Sequence, residues 1–139
     1  VVFSGLEASA GEEACKRITR AEFAELVDFN SQMIGAFERK DRAEYLAINH
    51  LIHRRVVEIA RNPVLMPLWE MLLPRVERAR AVANLDRERW LAAISEHSQM
   101  LAALGAGDGE RLARLTRRHF MAGLAFSQRH ADRAPEATD

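Results

Sequence analysis

Residues 41–61 read DRAEYLAINHLIHRRVVEIAR, and this stretch decides the fold class. Asp41 followed by Glu44 offers the chemistry of a helix start, a side-chain acceptor for the orphan amides of the first turn. Asn49 and His53 stand four residues apart, so both project from one side of a helix. That side continues through Val56, Val57 and Ala60, which makes it an inward face carrying two polar groups. The helix is then punctuated by Asn62-Pro63, a capping side chain before a proline at the first position of the next helix, where its missing amide costs nothing.

The same punctuation recurs along the chain. Thr19 with Glu22 reads as a capping box, Asp86 precedes R-E-R-W, and Gly107-Asp108 precedes another amphipathic stretch. These marks predict six helices at roughly 3–17, 20–38, 42–61, 63–84, 87–104 and 109–130. Ala, Leu, Arg and Glu dominate, and β-branched residues are too scattered for strands. Pro67 falls early in its helix, whereas Pro74 falls mid-helix and removes one hydrogen bond. The tail 131–139 is polar, carries Pro135 and is expected to fray. Short connections between long helices favour antiparallel neighbours, so the expected fold is an all-α, antiparallel bundle of about six helices.

The chain has 139 residues, with 20 Lys+Arg against 20 Asp+Glu and a formal net charge of zero. Its 48% apolar and 29% charged residues belong to a globular domain and argue against disorder. No apolar run approaches the roughly 20 residues of a membrane span. Balanced charge argues against a nucleic-acid-binding surface, which is normally basic. One cysteine, Cys15, allows no internal disulfide and fits a reducing cytoplasm. The start at Val1, with no signal-peptide pattern after it, reads as a piece of a longer protein or a processed chain.

Functional candidates are the polar residues on apolar faces. On the fifth helix His97 falls in line with Trp90, Ile94, Leu101 and Leu104, and on the sixth His119 falls in line with Leu112, Leu115, Ala122 and Phe126. Three helices thus each aim an imidazole at the core. One inward histidine is most often a satisfied core residue. Three unpaired ones would each cost about 1–3 kcal/mol against a total stability of roughly 5–15 kcal/mol. A shared metal ion removes that difficulty, with Asn49 adding a carbonyl oxygen to His53, His97 and His119. Three nitrogens and one oxygen leave coordination positions open, as a functional site requires. The spacing alone does not pick the metal; Zn²⁺ and Ni²⁺ are expected first, and Mn²⁺ also suits the site. His50, about 100° round the helix from Asn49, and His130, in the fraying end, are expected to face solvent. Arg75, and less strongly Arg80, sit at the margin of an apolar stripe, where a guanidinium fork suits a carboxylate. Trp69, Trp90 and Met100 lie at core spacing and also suit a pocket wall.

In order, D-R-A-E-Y-L-A-I-N-H-L-I-H (41–53), A-R-N-P-V-L (60–65), S-E-H-S-Q-M-L-A-A-L (95–104), G-D (107–108) and R-R-H-F (117–120) resemble the FCD (FadR C-terminal domain) effector domain of GntR-family bacterial transcription regulators. The resemblance runs from about Phe3 to Phe126. It implies a dimeric bundle of six or seven helices over residues 1–130, joined to an N-terminal winged helix-turn-helix that this chain lacks. It also implies a metal held by Asn49, His53, His97 and His119, the four residues already isolated by their placement. The family commonly has Asp at the position of Asn49 and Phe at that of Ile52. Many members carry an effector-gripping Arg three residues before L-E, and here Phe3 stands there before Leu6-Glu7.

The expected function is therefore a cytoplasmic, metal-binding sensor of a small organic acid, acting as a homodimer and reaching DNA only through the missing domain. Two rivals are a small helical-bundle metalloenzyme that activates a water and a metal-free helical dimerisation module. The enzyme needs a general base near the metal, yet Glu96 and Glu58 point away from the histidine faces, and no H-E-x-x-H pattern or nucleophile–base pair occurs.

Overall fold

The caps read from the sequence set most of the helix boundaries. In the computed structural model, which describes residues 1–131, Thr19 and Glu22 form the reciprocal capping box that opens α2 (Arg20–Glu38). Asp41 accepts from the amide of Glu44 at 3.0 Å to open α3 (Arg42–Ile59), and Asp86 accepts from that of Arg89 at 2.7 Å to open α5 (Arg87–Gly105). Asp108 does the same at 3.0 Å for Arg111, at the start of α6 (Gly109–Ala131). With α1 (Val2–Arg17) and α4 (Leu65–Ala79), six α-helices and one 3-10 turn (Ala83–Leu85) make an all-α bundle, and no strand occurs among the described residues. The tail expected from Ala131 lies outside the described residues, apart from Ala131 itself at the end of α6.

The fourth helix is shorter than expected at both ends. Asn62 Oδ1 accepts from the Val64 amide at 3.0 Å, which closes a turn through Pro63, so the helix begins at Leu65 instead of at the proline. At the other end the Arg80 amide is shared between the carbonyls of Val76 and Glu77, and the helix stops. The chain then turns inward, where Ser127 Oγ on α6 accepts from the Ala83 amide at 3.1 Å. The third helix also ends early. Arg61 takes φ +50°, and its guanidinium donates to the carbonyls of Arg17 and Ile59 and to Glu22, tying the ends of three helices together.

Helix α1 is the centre of the bundle and touches α3, α4, α5 and α6. It gets close because its inward stripe is small: Ala8, Ala10 and Ala14 are fully buried, and a Cβ on Gly11 would stand 3.1 Å from Leu112 of α6. One core cluster includes Leu26, Met33, Ile52, Trp90 and Leu104, and Tyr45 stacks on Trp90 at 4.9 Å. A second, smaller cluster gathers Phe3, Val57, Trp69 and Phe120 under α4. Helix α4 buries only Trp69 fully and leaves Leu68 and Met71 exposed, so it lies across the bundle as a cover. No helix among the described residues is long and apolar enough to cross a membrane.

Candidate metal centre and ligand cavity

Three helices deliver the imidazoles to one place. His53 from α3, His97 from α5 and His119 from α6 are each 5% exposed or less. Ring centroids lie 5.0 Å apart for His53–His97, 5.3 Å for His53–His119 and 4.9 Å for His97–His119. One nitrogen of each falls within 4.8 Å of the others. Two nitrogens bound to one metal at about 2.1 Å stand roughly 3 to 3.5 Å apart, so a small contraction brings all three onto a common ion.

Two carboxylates aim those rings. Glu7, 2% exposed on α1, accepts from His53 Nδ1 at 2.9 Å with one oxygen and from Trp69 Nε1 at 2.6 Å with the other. Glu96 on α5 accepts from His119 Nδ1 at 2.5 Å, while Arg89 forks onto the same carboxylate at 3.0 and 2.5 Å. A carboxylate on Nδ1 holds the proton there and leaves Nε2 as the free lone pair. The Nε2 atoms of His53 and His119, and both ring nitrogens of His97, are buried with no partner. Such orphans are rare, because an unsatisfied buried nitrogen costs free energy with nothing in return. Burial, reinforced by the neighbouring imidazoles and by Arg80 and Arg89, drives His97 and His119 well below the ordinary 6.5, so both are neutral and ready to ligate at neutral pH. The residues present fit a divalent ion of the first transition series.

The sequence missed both carboxylates. Glu96, expected to point away from the histidine faces, instead reaches across to His119 of the next helix. Glu7 shares its stripe with Phe3, Ala10 and Ala14, all buried, and an acid in such a stripe was the signal that marked it.

His53 also stands on the wall of a cavity of about 270 Å³ between α1, α3, α4 and α6, while His97 lines a small interior void beside it. Asn49, the expected oxygen ligand, lines that cavity with His53. So does His50, which is half-buried there with its ring edge on Trp69 and its Nδ1 3.6 Å from Glu77; the expectation that it faces solvent is corrected. The reason is that α4 crosses α3 at this point and covers it. His130 is exposed, its ring stacked on Phe126. The two arginines separate: Arg80 lines the cavity, whereas Arg75 is exposed and borders an apolar groove next to the N-terminus. The Arg80 guanidinium packs 5.0 Å over the Phe120 ring, and its Nε has no partner. Burial, with Arg89 nearby, lowers it to about 10, and it remains cationic at neutral pH. Phe3 and Trp69 form the apolar wall opposite. Trp90 belongs to the core, and Met100 borders the small void.

A helical bundle with three convergent imidazoles beside a ligand-sized cavity defines a class, and comparison with known proteins names it. The family model for the FCD domain matches residues 2–122, and the chain belongs to that family. Among solved structures, the fold is similar to E. coli McbR/YncC with a TM-score of 0.84 and 21% identity, over 93% of this chain. The chain spans 65% of the length of that protein. No curated protein sequence matches it.

Proposed function

We propose that this chain is the effector-sensing, metal-binding domain, residues 1–130, of a GntR-family bacterial transcription regulator. In this reading it is a cytoplasmic homodimer that reaches DNA only through a linked winged helix-turn-helix domain. The observation that carries the reading is the set of buried, unpartnered imidazole nitrogens of His53, His97 and His119 next to the cavity. His53, His97 and His119, with Asn49 from the cavity wall, hold a divalent metal, Zn²⁺ or Ni²⁺ best and Mn²⁺ also. That metal supplies positive charge and open coordination positions to a small organic acid. Glu7 and Glu96 keep the imidazoles oriented, and Arg80 supplies the second positive group. A ligand seated there touches α1, α3, α4 and α6 at once, so it favours one packing of the α4 cover over another. In a dimer such a shift changes the separation of the attached reading heads, and half-site spacing is geometrically strict.

Hydrolysis by a metal-activated water is the weaker alternative. Both carboxylates nearest the imidazoles are already engaged, Glu7 by His53 and Trp69 and Glu96 by His119 and Arg89, so neither stands ready as a general base. A metal-free dimerisation module leaves the orphan nitrogens unexplained.

Elemental analysis of the purified wild type and His97→Ala tests the reading. Close to one metal per chain in the wild type and loss of it in the variant is the expected result. Absence of metal from the wild type, even after incubation with Zn²⁺ or Ni²⁺, overturns the metal centre and with it this mode of sensing.

A further inference from the structure

Helix α4 carries none of the three imidazoles, yet it reaches the carboxylate that aims one of them. Trp69 is the one fully buried residue of α4. Its indole N–H donates to one oxygen of Glu7 at 2.6 Å, while the other oxygen accepts from His53 Nδ1 at 2.9 Å. Elsewhere α4 is tied to α3 by Arg54–Glu70 at 3.2 Å and His50–Glu77 at 3.6 Å, pairs open to solvent and therefore weak. The indole bond is thus the link between the cover and the interior of the bundle.

The two bonds on Glu7 depend on each other. A buried oxygen left without a partner costs about 1–3 kcal/mol, and one orientation of this carboxylate satisfies both oxygens. Without the indole, the freed oxygen competes for the His53 proton or turns toward the cavity that Glu7 and Trp69 both line, and the ring loses its aim. The dependence also runs the other way. A cation on the Nε2 lone pair of His53 makes Nδ1–H a stronger donor, which fixes Glu7 more firmly and presents a better-ordered acceptor to Trp69.

We propose that Trp69 is a positioning residue of the metal centre, acting through Glu7 on His53, and that α4 and metal occupancy are coupled through it. A seated α4 raises metal affinity, and a bound metal holds α4 down by the same factor, because a coupling free energy is reciprocal. The proposal rests on the metal reading of the three imidazoles and adds a helix that bears no ligand to the centre.

The metal-stripped 139-residue chain is titrated with Zn²⁺ in competition with a chelating dye. Trp69→Phe keeps a ring against Phe3 but removes the N–H, and it is expected to bind Zn²⁺ about tenfold more weakly than wild type. Leu73→Ala thins the same wall and removes no donor to Glu7, so it is expected to unfold at a lower temperature with near wild-type zinc affinity. Gln at position 7 has one acceptor oxygen for two donors, and with the indole also gone that oxygen is free for His53. The double variant carrying Glu7→Gln and Trp69→Phe is therefore expected to bind Zn²⁺ no more weakly than Glu7→Gln alone, whereas a purely packing role for Trp69 adds its full loss. In the wild type, Zn²⁺ is expected to slow amide exchange over Leu65–Ala79 about fivefold beyond its effect on α2, a measurement that needs no variant to fold. Wild-type affinity in Trp69→Phe, an equal loss in Leu73→Ala, additive losses in the double variant, or equal zinc protection of α4 and α2 each overturns the proposal. These results leave the metal centre standing, whereas a chain that takes up no zinc overturns the metal reading and this proposal with it, so the two failures are distinct.

Discussion

Arg89 and Arg80 are both cations drawn into the bundle, and they are treated in opposite ways. Arg89, 7% exposed, is closed off: its two terminal nitrogens fork onto Glu96, which in turn orients His119. Arg80 has an aromatic ring beneath it, a glycine beside it and no carboxylate, and its face is open to the cavity. The first charge is paired within the protein, although Arg89 Nε, like Arg80 Nε, is buried with no partner. The second charge has no ion-pair partner among the described residues, and on the proposed reading an anionic ligand supplies one.

The contrast is most directly broken by substitution. Arg89→Met removes one partner of a mostly buried ion pair and leaves Glu96 with His119 alone, so a loss of about 2 kcal/mol or more is expected in urea unfolding. Arg80→Met deletes a charge with no partner and is expected to stay within about 1 kcal/mol of wild type. Equal losses from the two would show that Arg80 is structural after all.

Acid provides the next effect. His97 and His119 have folded-state pKa values depressed by burial, so below the ordinary 6.5 the unfolded chain binds protons that the folded one refuses. Stability is therefore fully present above about pH 6.5 and falls as pH drops below it, by up to about 2.7 kcal/mol per pH unit for two such groups. Metal-stripped protein, followed by thermal unfolding between pH 7.5 and 5, is expected to show this slope. A flat profile would mean that the imidazoles are hydrated or paired in solution.

The smallest effect is on aim. Glu7→Gln preserves shape but weakens the hold on the His53 Nδ1 proton, and metal affinity is expected to drop about 10- to 100-fold with little change in fold. Competition with a chelating dye reads this directly, and unchanged affinity would remove Glu7 from any role at the centre.

Much of this molecule was legible because helix rules are local. Thr19–Glu22, Asp41, Asp86 and Asp108 each satisfy an amide three residues ahead, and their helices begin where the caps say. Period alone put Asn49, His53, His97 and His119 on inward faces. The fourth helix was misjudged where a non-local contact decides the chain's path: the turn after Ala79 is held by Ser127 on another helix. His50 was misjudged for a related reason, since its own helix leaves it half outward and only α4 covers it.

The sequence by itself determined an all-α bundle with three core-facing imidazoles, because capping and periodicity act within one or two turns. Only the tertiary structure decided that the three imidazoles meet, that Glu7 reaches His53 from 46 residues away and Trp69 from 62, and that Arg80 rather than Arg75 enters the cavity. Those outcomes depend on how closely helices approach. That closeness is set by small residues such as Gly11 and Gly123 meeting side chains from distant parts of the chain, a pairing that no local rule encodes.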